Sequence, residues 1–145
     1  MPSNWGISPR QSVEAECGRL GRDEVVGGCI ALLDGRPADD TLILALGGPA
    51  AEAVLAGREG GRQGYWPRVW AARGLLYAWD DRAGDAIVRA TTDESWRVRE
   101  MSLKVIARNR YGDAIDAIAE LQDDPVARVR QAARRALVVL TSTRA

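Results

Sequence analysis

The sequence predicts an all-α fold of about four antiparallel helix pairs preceded by one N-terminal helix, in a single domain spanning 1–145. Three observations carry that expectation. Arg-Val pairs recur at Arg68-Val69, Arg97-Val98 and Arg128-Val129, with spacings of 29 and 31 residues. From each valine, apolar or small residues return at plus three, plus seven and plus eight: Ala72, Leu76 and Tyr77; Met101, Val105 and Ile106; Ala132, Ala136 and Leu137. This is the stripe of a helix buried along one side, not the alternation of a strand. Between these helices "GDAIVRA" at 84–90 returns as "GDAIDAIAEL" at 112–121, with a looser "GPAAEAVLAG" at 48–57. Self-similarity on this scale marks a repeat architecture, in which a pair of helices buries its apolar side only by stacking on its neighbours.

In chain order, residues 8–20 read as a lone first helix. "GRDEVVGGCIALLDG" and "PADDTLILALGG" make a degraded pair over 21–47, and further pairs follow over 48–81, 82–110 and 111–141. The first helix of each of the last three pairs opens after a glycine. Glycine suits the left-handed cap of the preceding helix, and Pro49, Asp85 and Asp113 suit the first turn of the next. "GREGGRQG", 57–64, places four glycines in eight residues and reads as a long turn inside the second pair.

The composition narrows the chemistry. Twenty basic and twenty acidic residues cancel, so attraction to nucleic acid or to an anionic membrane has to come from local segregation of charge. With no histidine in the chain, Ser-His-Asp and Cys-His devices, His-ligated metals and imidazole acid-base chemistry are excluded. Cys17 and Cys29 lack CxxC spacing and suit a reduced core role. No cofactor or metal is expected. The opening "MPSNWGISPRQ" shows no basic leader followed by an apolar run, and no stretch is long and apolar enough for a spanning helix, so the expectation is a cytoplasmic protein without membrane contact.

Two segments, "DESWRVREMSLKVIA" and "DDPVARVRQAARRAL", resemble the second helices of HEAT repeats, particularly the short variety found in phycobilisome-lyase-type proteins. The resemblance is strongest over 82–141 and weakens toward the N-terminus. It implies a right-handed α-α superhelix, with first helices on the convex side and second helices on the concave side. It also implies a structural ladder between neighbouring repeats, built from an Asp in the turn and an Arg six residues later. Asp93 with Arg99 and Asp124 with Arg130 fit that pattern, whereas the preceding repeat has Gly64 and Trp70 at the two positions. Losing both members together is what a pairwise interaction predicts, since one partner alone would leave a partly buried charge uncompensated.

Helix composition then becomes surface charge. Residues 111–124 carry Asp113, Asp116, Glu120, Asp123 and Asp124 and no base, while 126–145 carry Arg128, Arg130, Arg134, Arg135 and Arg144 and no acid. In 96–110, Arg97, Arg99, Lys104, Arg108 and Arg110 face only Glu100. Arg97, Lys104 and Arg108 share a helix flank that Arg128 and Arg135 repeat, and Arg68 extends the row. Trp79, at the position of Arg108, is the expected exposed anchor on the inner flank. Trp66, Trp70 and Trp96 suit packing as well as an interface. Arg73, aimed inward, requires a carboxylate or carbonyl partner.

The function expected is a non-catalytic adaptor or scaffold that holds an acidic segment of another protein in a basic concave groove lined by Arg68, Trp79, Arg97, Lys104, Arg108, Arg128 and Arg135. The alternatives are a nucleic-acid-binding protein resembling DNA-alkylation-repeat proteins, a non-catalytic subunit of an enzyme complex, or a solvated face whose arginines bridge to acids of adjacent helices. Val138 and Val139 fall outside the core stripe, an apolar end that suits self-association through the last helix or a partner docking there.

Overall fold

The computed structural model describes residues 6–142 and divides into two compact units, residues 1–79 and 80–145. Trp5 and Arg144 lie outside the described residues. Within those residues the fold is all-α, with helices packed on neighbouring helices as in a helical repeat.

In the first unit, α1 (Pro9–Leu20) starts on a capping box: the Ser8 hydroxyl accepts from the Gln11 amide at 3.1 Å and the Ser8 amide donates to Gln11 Oε1 at 2.8 Å. Gly21, at φ 98°, breaks the chain before α2 (Arg22–Leu33). Then come α3 (Asp40–Gly47), α4 (Ala50–Leu55) and, beyond the glycine-rich turn, α5 (Trp66–Gly74). The packing groups these helices differently from the sequence spacing. α1 packs on α2 and α3, α2 and α3 both pack on α5, and the short α4 sits against α3 and the following turn. α1 is therefore a packing partner in its own right, and α4 is a small insertion between α3 and α5. The cause is apolar content: α2 buries Val25, Val26, Cys29 and Leu32, whereas α4 offers only Ala51 and Val54.

Close approach in this unit depends on Gly47. A Cβ there would lie 2.5 Å from the Trp70 ring, so the indole lies directly on the backbone of α3. Trp70 is 5% exposed, which accounts for a bulky apolar residue at a position the repeat pattern gives to arginine. The inward Arg73 finds the carbonyl partner it requires, donating from Nη2 to Leu46 O at 2.7 Å.

The second unit contains α6 (Gly84–Ala90), α7 (Trp96–Asn109), α8 (Ile115–Glu120) and α9 (Ala127–Thr141). α6 packs on α7 and α8 on α9, the connections being too short for anything but antiparallel pairs, and α7 packs on α9. Val98, Leu103, Val105, Ile106, Ile118 and Val129 are fully buried. Each contributes about 1.5–3 kcal/mol by leaving water. The glycines before α6 and α8 do not serve as left-handed caps. Gly84 is helical (φ −57°) and is small because the Tyr111 ring occupies the space of its Cβ. The left-handed residue ending α7 is Arg110, at φ 50°. Gly48 does adopt positive φ, 67°, at the end of α3.

Candidate interaction surface

The turn before each second helix in unit 2 is built the same way. Asp93 Oδ1 accepts from the Ser95 amide at 2.8 Å, and Asp124 Oδ1 accepts from the Val126 amide at 2.9 Å, which fixes the chain as it enters α7 and α9. Six residues on, the arginine turns back: Arg99 Nη1 donates to Asp93 O and Arg130 Nη1 to Asp124 O, both at 2.8 Å. The carboxylate-guanidinium contact runs from one pair to the next. Arg99 Nε and Nη2 donate to Asp124 Oδ2 and Oδ1 at 2.8 and 3.3 Å, with the side chains 14% and 4% exposed. Asp93, Arg99, Asp124 and Arg130 thus share one construction, and the ionic rung joins Arg99 to Asp124.

The basic flank of α7 and α9 is more constrained than its sequence suggests. Glu100, 13% exposed, accepts from Arg128 Nε at 3.0 Å and stands 3.9 Å from Lys104 Nζ. The Arg97 and Arg128 guanidinium carbons lie 4.6 and 5.1 Å from the Trp96 ring centroid. Trp96 is a half-buried plate beneath two cations. By contrast, Arg108 and Arg135 are exposed and pair with no carboxylate among the described residues. The same is true of Arg134, which lies outside the row of Arg97, Lys104, Arg108, Arg128 and Arg135. In the 31-residue register it stands where α7 has the buried Leu103.

Arg68 and Trp79 belong to the first unit, whereas the other five residues of the expected groove belong to the second. Arg68 is half-buried in α5, donating from Nη1 to Gly64 O at 3.1 Å. Trp79 does not occupy a helix flank equivalent to that of Arg108. α5 ends at Gly74 and the chain turns, burying Leu75 and Ala78, so the indole lies five residues past the helix. It is half-buried, and its carbonyl accepts from Arg22 Nη2 at 2.7 Å. Trp66 stacks on Trp70 with ring centroids 6.1 Å apart.

The reactive side chains are muted. Cys29 is buried, and burial pushes its thiol up to about 12; burial also raises Cys17. Arg73 is held below the usual guanidinium range by burial, yet that range lies far above neutral pH and its charge persists. No group of three or more Cys, Asp or Glu that could hold a metal ion occurs among the described residues, and no helix there is long and apolar enough to cross a membrane.

The repeated turn, the returning arginine and the stacked second helices agree with the comparison to known families, in which a model described as HEAT repeats matches residues 65–138. The chain belongs to the HEAT-repeat family. No curated protein and no solved structure matches it. HEAT repeats generally mediate protein-protein interaction, and HEAT-repeat proteins are typically non-catalytic scaffolds. The match covers all of unit 2 through Val138 and begins in unit 1 just before α5.

Proposed function

We propose that this HEAT-repeat chain is a non-catalytic interaction module, an adaptor or scaffold, that holds an acidic segment of another protein against the basic flank of unit 2. Arg108 and Arg135 carry the proposal, because each is exposed and without a carboxylate partner among the described residues. Lys104, Arg97 and Arg128 supply the surrounding positive field, partly offset by Glu100. An acidic segment would replace water around two exposed guanidinium groups that can bind carboxylates bidentately. The segregation supports the same reading: α9 has four arginines and no acid.

The test is charge reversal at the two uncommitted arginines. The variant Arg108→Glu/Arg135→Glu should keep the helical circular-dichroism spectrum and melting temperature of the parent, since neither side chain is buried. It should lose the proteins that the parent retains on affinity purification from its native cell. Undiminished capture by a folded variant would remove the flank as the docking surface.

A further inference from the structure

The rung between Arg99 and Asp124 has a second, open copy. Arg99 uses its guanidinium on two sides: Nη1 ties back to Asp93 O within its own turn, and Nε with Nη2 grip the Asp124 carboxylate of the following pair. Arg130 repeats the first half, Nη1 to Asp124 O at the same 2.8 Å. Its second edge meets no carboxylate among the described residues. Held by one bond, the guanidinium is oriented but incompletely used.

The surrounding face follows the same register. On α7, residues in line with Arg99 are covered: Leu103 and Ile106 are both 0% exposed. On α9 the corresponding line from Arg130 runs through Arg134, Leu137 and Val138, with Arg134 exposed, Leu137 half-buried and Val138 65% exposed. Residues four apart on a helix are neighbours, so Arg130 and Arg134 present two guanidinium groups beside an apolar edge. The buried Leu103 becomes arginine at this face, which favours a partner richer in acid than the α8–α9 hairpin that covers α7.

We propose that this end face of α9 docks an acidic turn of another protein. The expected partner segment has two adjacent carboxylates followed by a helix, one taking the open edge of Arg130 as Asp124 takes that of Arg99, the other meeting Arg134. Charge complementarity and the chain's own occupied rung select that occupant over a second copy. Two copies joined through this face would set arginine against arginine.

The probe is a synthetic peptide copying residues 118–128, which contains the Asp123-Asp124 turn known from this structure to seat on such an arginine. It is titrated to millimolar concentration into the full ¹⁵N-labelled chain, and the arginine Nε–Hε signals are followed. The Arg130 and Arg134 signals should shift and saturate. A peptide with Asp123→Asn and Asp124→Asn should bind about tenfold more weakly or worse, the loss expected for a charge-assisted contact. Arg130→Gln should abolish the response, Arg130→Lys should restore part of it, and Arg134→Gln, which removes only an exposed side chain, should weaken it severalfold. An unshifted Arg130 at millimolar peptide, or a response indifferent to the aspartates, overturns the proposal. So does sedimentation showing a dimer that Arg130→Gln dissolves, because the occupant is then a second copy.

Discussion

At the residue scale, the consequences lie with one nearly buried ion pair, one acid within the basic flank and one buried thiol. Arg99 and Asp124 are nearly buried together, so removing one strands the other. Arg99→Ala leaves the Asp124 carboxylate, 4% exposed, with only the Val126 amide as a described partner. The expected cost is about 3–5 kcal/mol in urea denaturation of the full chain. A change below about 1 kcal/mol would mean that the rung is an ordinary surface pair. Glu100 works in the opposite sense on function. By holding Arg128 and lying near Lys104 it lowers the positive field of the flank. Glu100→Gln should therefore tighten binding of an acidic partner severalfold in a calorimetric titration, and weaker binding would contradict the assignment of charge to that flank. Cys29 gives a pH signature. Below pH 9.0 both folded and unfolded chains keep the thiol proton; above it the unfolded chain loses the proton first, because burial holds the folded group up to about 12. Stability should fall as pH rises from 9.0 to about 12, by at most about 1.4 kcal/mol per pH unit, and Cys29→Ala should remove that component of the slope.

At the element scale, close contacts are set by residues too small to register as signals. Gly47→Ala drives a methyl group into the Trp70 ring and should destabilise unit 1 by about 1–3 kcal/mol, measured by thermal denaturation followed through tryptophan fluorescence. An unchanged melting temperature would show that the indole shifts freely. The same contact explains what could be read from sequence and what could not. α7 and α9 were legible because their apolar stripe, basic flank and Asp-containing turn all recur in register. The partners of α1 were not, because its own sequence offers a short amphipathic stretch and nothing that tells α2 from α3 as a neighbour. Trp79 was misplaced for a related reason: extending the register of α7 assumed a helix of equal length, whereas α5 stops at Gly74. Gly84 looked like a cap and is instead the floor under Tyr111, a contact 27 residues away that no local pattern contains. Among the basic residues, periodicity selected the flank, but only coordinates separate Arg128, engaged with Glu100 and Trp96, from Arg135.

At the scale of the whole molecule, the charges cancel and local segregation is the electrostatic fact that matters. A partner held by the flank should dissociate progressively with salt as the exposed arginines are screened. Duplex DNA offers phosphate at every step but meets a chain with no net positive charge to recruit it. A labelled duplex at about 50 mM salt should therefore give no change in fluorescence polarisation, whereas binding that weakens steeply with ionic strength would favour a nucleic-acid ligand.

The interaction surface is tested most directly by hydrogen exchange and carboxylate-guanidinium footprinting on the full chain, alone and with its captured partner. New protection should concentrate on the exposed flank of α7 and α9, around Lys104, Arg108 and Arg135. Protection confined to unit 1, or none on that flank, would contradict the account.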